Sequence, residues 1–136
     1  MNTKEERGFI ILGVIQAFVA MGALPVGYLL ITHPDGSAVG MSVDILAGSP
    51  FHDFLLPGIA LFIFNGVFHL VNAIVCFFYF RFAPPIAAVL GFGLMVWIGV
   101  QVCSIGLNSF LQPAFFLIGC LELILGVSLI QNRNKR

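Results

Sequence analysis

Apolar residues gather in four long runs, at about 8–31, 55–80, 86–105 and 113–130, divided by short stretches of turn-forming and charged residues. A helix rising ~1.5 Å per residue needs about 20 apolar residues to cross the hydrocarbon core of a bilayer, and each run supplies them. The pattern predicts an all-α integral membrane four-helix bundle, a single transmembrane domain over residues 1–136. The second run is organised differently from a plain greasy helix, because it carries Asn65, His69 and Asn72. Spacings of four and three place all three on one helix face. In hydrocarbon such groups are costly unless they meet protein, water or a ligand, so the stripe marks the inward side of the bundle.

The connections are equally patterned. The segment 32–54 is long for a helix connection, where ~2–8 residues is usual, and it is rich in turn chemistry rather than disorder. His33-Pro34-Asp35-Gly36 predicts a turn, Ser42 an N-cap, Val43 to Ala47 a short helix and Gly48 its stop. Asp53 is placed to cap the second span, and the whole segment is expected to fold back as a small cap over the bundle. Pro25 predicts a kink in the first span, and Pro84-Pro85 a short turn that sets the second and third spans antiparallel. Leu107 to Gln112 reads as the last turn, with Pro113 opening the fourth span. Ala23 with Gly27, and Ala87 with Gly91, are small residues four apart and predict close helix contact.

Composition adds direction to this picture. Charged residues make up only 9% of the chain, against roughly 25% in a soluble domain, which confirms the membrane class. The net charge of +0 gives no reason to expect nucleic acid as a partner; the lipid bilayer is the expected surrounding. Lys4, Arg7, Arg81, Arg133, Lys135 and Arg136 all fall on one side of a four-span chain. The positive-inside rule then puts both termini in the cytoplasm of a cell whose inner (plasma) membrane holds the protein, with 32–54 as an extracytoplasmic loop. The apolar run after Arg7 is too long for a signal h-region of ~7–15 residues and reads as a retained helix. Cys76, Cys103 and Cys120 lie inside apolar runs without a Cys-x-x-Cys pair and read as packing residues.

Counting depth from the cytoplasmic ends at ~1.5 Å per residue puts Gln16, Asn72 and Glu122 about 12–14 Å deep and His69 near 16 Å. Glu122 is the only acidic residue in any span, and a charge there costs ~2.5–3.5 kcal/mol or more on insertion scales. It needs a partner or a proton, with His69 the expected partner and Gln16 and Asn72 as further donors. This layer reads either as a proton- or substrate-binding site or as a network that locks the helices. A second layer, about 22–24 Å up, holds Asn65 and Gln101, with Trp97 one turn below Gln101. A mid-span tryptophan reads first as a packed core indole and second as a cavity wall. His33, Asp35, His52 and Asp53 match no zinc or calcium spacing, so no metal site is expected, and nothing in the chain specifies a cofactor.

Asp35-Gly36-Ser37, Gly48-Ser49-Pro50-Phe51, Pro57-Gly58, Gln101 and Gln112-Pro113 together resemble a group of small prokaryotic four-span membrane proteins. The resemblance covers most of the length and implies a helical bundle with an outer loop; it supplies no substrate and no catalytic residue. The chain lacks the first-span glutamate expected of small multidrug antiporters and the thiol pairs of quinone-linked oxidases. Two functions remain in view. One is a non-catalytic bundle whose buried polar layer, built from Glu122, His69, Asn72, Gln16, Asn65, Gln101 and Trp97, binds a hydrophobic or weakly polar molecule or a partner membrane helix. The other is an oligomeric proton-coupled transporter or channel using Glu122 and His69. An enzyme is a third and weaker fit, because the spans offer one acid and no convincing nucleophile. Small-residue faces also permit a homo-oligomer.

Overall fold

The structure is a computed structural model that describes residues 2–107 and 110–135. Among these residues four helices are long and apolar enough to cross a membrane: α1 (Thr3–Thr32), α2 (Leu55–Phe77), α3 (Ala83–Ile105) and α4 (Leu111–Asn134). Their ends differ from the sequence expectation for local reasons. α1 begins at Thr3 because Asn2 Oδ1 accepts the Glu5 N–H at 2.9 Å, and Glu5 and Glu6 then complement the helix dipole. Pro25 lies inside this helix without ending it. The Pro84-Pro85 pair sits within the first turn of α3 rather than in the turn before it, where a missing N–H leaves no helical bond unmade. Pro113 is likewise inside the first turn of α4, which Leu111 opens; residues 108 and 109 of the expected turn lie outside the described residues.

α2 stops at Phe77, short of Phe80. The Phe80 N–H reaches back to the Val75 carbonyl at 3.1 Å and Tyr79 takes φ 56, the left-handed position that usually falls to glycine. Packing holds it there, since the Tyr79 ring meets Phe9 edge-on at 5.7 Å. A larger departure lies in mid-helix, where Leu61–Phe68 is π-helical. Such stretches are rare and often stand at functional sites. Here the stretch contains Asn65 and leads directly into His69.

The spans are drawn together where side chains are missing. A Cβ on Gly91 would lie 2.6 Å from the Gly119 carbonyl oxygen, and one on Gly119 would lie 2.8 Å from the Gly91 oxygen, so α3 and α4 touch backbone to backbone. Gly27 does the same against Phe62 for α1 and α2, at 2.8 Å from its backbone nitrogen. The expected small-residue pairs therefore mark contacts within the chain, with Gly119 and Gly126 as their unforeseen counterparts on α4.

The segment between α1 and α2 is ordered by its own hydrogen bonds. Ser42 Oγ accepts the Asp44 N–H at 3.2 Å, the expected helix becomes a single 3₁₀ turn over Val43–Leu46, and Gly48 follows at φ 87. The N-cap of α2 is Phe54 rather than Asp53, and Asp53 Oδ1, one residue earlier, accepts the Leu55 N–H at 3.0 Å. Leu46 and Phe54 pack on Leu30 of α1, which fixes the segment against the end of the bundle opposite the termini.

Two outcomes test this account. Gly91→Leu forces α3 from α4 and is expected to lower stability by about 1–3 kcal/mol, seen as a drop in Tm in detergent. Gly99→Leu, at a position where an added Cβ meets nothing within 4 Å, should leave Tm unchanged. In the loop, the Ser37 N–H and then its hydroxyl donate to Asp35 Oδ1 at 3.0 and 2.7 Å and hold its carboxyl below the usual value. Their contribution is complete above the ordinary carboxylate range and is lost as pH falls through the lowered folded value. The protection of the Ser37 amide, its exchange rate corrected for the intrinsic base-catalysed rate at each pH, should fall over that acid window and stay constant on raising the pH from neutrality.

Candidate functional site

The polar residues of the spans separate into two regions. Nearer the termini, His69 and Glu122 are both fully buried and His69 Nε2 lies 3.1 Å from Glu122 Oε2. The other ring nitrogen, Nδ1, lies 3.2 Å from the Phe64 carbonyl, in the middle of the π-helical stretch. A carbonyl can only accept, so Nδ1 carries hydrogen, and the contact to Glu122 then requires one more proton between Nε2 and Oε2. The pair holds that proton jointly, as imidazole with carboxylic acid or as imidazolium with carboxylate.

Gln16 and Asn72 were expected to donate to Glu122, but the structure pairs them with each other. Asn72 Nδ2 donates to Gln16 Oε1 at 2.7 Å and is also 3.2 Å from the Ala83 carbonyl, tying α2 to α1 and to the start of α3. Cys76 Sγ points at the same Gln16 oxygen, at 3.7 Å. The reason is geometric: on the α-helical turn that follows the π-helical stretch, His69 turns to α4 while Asn72 turns to α1. Three polar atoms of this layer, Gln16 Nε2, Asn72 Oδ1 and Glu122 Oε1, have no hydrogen-bond partner among the described residues. None of Gln16, His69, Asn72 or Glu122 borders a cavity described below.

Toward the loop end the bundle is hollow. A cavity of about 400 Å³ is walled by all four helices, with Gly22 and Ala23 from α1, Leu61 and Asn65 from α2, Trp97 from α3 and Phe115 from α4 among its lining. A second, of about 270 Å³, adjoins it beneath the loop and reaches Met41, Phe51 and Phe54. Val26, Leu61, Trp97, Gln101, Leu111 and Gln112 border both. Trp97 is thus a wall residue, and it packs as well against the core of Val19, Leu94 and Ile98. Gln101 accepts from Gln112 Nε2 at 3.3 Å, an amide pair across α3 and α4.

Asn65 is the polar residue of this region that is left over. It is 1% exposed, and neither Nδ2 nor Oδ1 has a hydrogen-bond partner among the described residues. An unsatisfied buried amide costs stability, of order 1–3 kcal/mol, unless something else meets it. No Lys, Arg, His, Asp or Glu lines either cavity, so the walls suit an uncharged occupant. At the seam between α1 and α4, Phe18 is 58% exposed and its ring stacks on Phe115 at 6.1 Å, which brings the cavity edge to the bundle's lipid-facing surface.

The seven residues read from sequence therefore divide: Gln16, His69, Asn72 and Glu122 into a sealed layer, Asn65, Trp97 and Gln101 onto a cavity wall. Phe18, Gly22, Gln112 and Phe115 also line that wall and were not legible as site residues: aromatic and small residues in an apolar run look like packing, and Gln112 reads as part of a turn. Among the described residues no group of three or more His, Cys, Asp or Glu gathers to hold a metal.

Glu122→Gln keeps a hydrogen bond to His69, because the new amide donates to Nε2, and should leave Tm within a few degrees of the native protein. Glu122→Leu strands His69 Nε2 in an apolar interior and should cost about 1–3 kcal/mol more, a clear drop in detergent Tm. Equal loss in both variants would contradict the pairing. No protein-family model matches the chain, and neither a curated protein nor a solved structure matches it.

Proposed function

We propose that the protein is a small multi-pass protein of the plasma membrane that binds an apolar or weakly polar molecule in its loop-end cavity, without chemistry of its own. One observation carries this reading: an aromatic and aliphatic cavity of about 400 Å³ whose wall contains a single fully unsatisfied amide, Asn65. Ligand sites have this make-up, apolar walls of ~300–1,000 Å³ with a few polar groups that fix orientation. The His69–Glu122 and Gln16–Asn72 pairs then serve as locks that hold α1, α2 and α4 in register beneath the cavity. Both termini lie in the cytoplasm in this reading, because Lys4, Arg7, Arg81, Arg133 and Lys135 fall at the terminal end of the helices.

The jointly held proton of His69 and Glu122 supports a second reading, proton-coupled transport by an oligomer. It calls for a water path to the pair, and the pair borders neither loop-end cavity.

Gly22 allows the two to be separated, since it lines the cavity and a Cβ added there meets only the Phe115 ring, at 3.8 Å. Native mass spectrometry of the detergent-purified protein should find a co-purifying small molecule in the native form that is absent from a folded Gly22→Leu variant and retained in Glu122→Gln. Retention in Gly22→Leu with loss in Glu122→Gln would move the site to the proton-holding pair.

A further inference from the structure

Resting on the cavity reading above, we infer that the occupant is an uncharged single-chain amphiphile whose head is a protonated carboxylic acid or a primary carboxamide, paired twice with the side chain of Asn65. The head group follows from what Asn65 lacks. Its Nδ2 needs an acceptor and its Oδ1 needs a donor, the two lie on one planar group, and the surrounding protein supplies neither. A carboxylic acid offers both side by side: its carbonyl accepts from Nδ2 while its O–H donates to Oδ1. A primary amide does the same through its own C=O and N–H. An ester, ether or ketone brings acceptors only and leaves Oδ1 facing a lone pair. A charged head has no counter-ion, because no ionisable side chain lines either cavity.

The chain follows from the shape of the space. Leu61 lies one helical turn from Asn65 toward the loop and borders both cavities, so a tail leaving the head at Asn65 runs past Leu61 and Trp97 into the space under Phe51 and Phe54. The Gln101–Gln112 pair at the junction is already bonded across the two helices and leaves the path to the apolar walls. Entry is lateral, at the Phe18–Phe115 stack on the seam of α1 and α4, the surface that faces lipid in a spanning bundle. The amide of Asn65 is itself covered, so the head meets it through a turn of that side chain, whose terminal torsion is broad.

Trp97 is the single tryptophan of the chain and reports directly on both cavities. In the detergent-purified full-length protein its fluorescence is titrated with ω-bromododecanoic acid below the acid's titration range, with the corresponding primary amide, and with the methyl ester. Acid and amide are expected to quench at concentrations roughly tenfold or more below those the ester requires. Raising the pH through the acid's titration range should weaken the acid and leave the amide unaltered. Asn65→Leu should abolish the preference, bring all three probes to the ester's level, and raise the Tm of the unliganded protein by removing a stranded amide. A preference for only one of the two heads upholds the pairing and names the source.

Equal binding of the ester by the native protein, or a preference that survives Asn65→Leu, overturns the head-group assignment while leaving apolar binding in place. Quenching that is absent for all three probes, or identical in Gly22→Leu, overturns the cavity reading itself.

Discussion

In hydrocarbon a polar side chain has to find its partner inside the protein, and the whole arrangement of this bundle turns on how Glu122 does so. His69 lies on α2 and Glu122 on α4, so the shared proton between them ties spans that are far apart in the chain. The Phe64 carbonyl meets the second ring nitrogen and thereby sets the tautomer, and that carbonyl belongs to the π-helical stretch that leads into His69. Helix irregularity, ring orientation and the acid's protonation are one linked constraint.

That constraint also explains why the loop end is hollow. α3 and α4 are clamped by Gly91 against Gly119, and α1 and α2 by Gly27 against Phe62, giving two close hairpin-like halves. Between the halves the fit is set near the termini by His69–Glu122 and by Asn72 with Gln16. Beyond this layer large rings, Phe18, Trp97 and Phe115, meet across the gap without filling it. Asn65 sits at the boundary, carried inward by the same π-helical stretch yet beyond reach of either polar pair. A protein selected only for stability would have an apolar residue there, and the retained amide is the feature on which the proposed binding site rests.

Much of this was legible in the sequence. The four spans, the cap at Ser42 and the inward stripe of Asn65, His69 and Asn72 follow from periodicity and turn chemistry, which act locally. The pairing of His69 with Glu122 followed from electrostatics, since the four apolar runs of the sequence contain one acid, Glu122, and one imidazole, His69. Three features were hidden. The π-helical stretch reads as ordinary helix because it has no residue signature. Tyr79 takes a left-handed turn that would be assigned to glycine, and does so through its contact with Phe9. The cavity arises from crossing distances between helices, a tertiary property, so Phe18, Gly22, Gln112 and Phe115 carried no signal.

The most direct test of the central claim, that the loop-end space is an occupied site closed by Asn65, is an experimental density map of the full-length protein in lipid nanodiscs. The account predicts continuous elongated density from the Asn65 amide past Trp97 to Phe54, with a polar head within hydrogen-bonding distance of both amide atoms. Side chains of α1 and α4 collapsed into that space, with Asn65 bonded to protein, would contradict it.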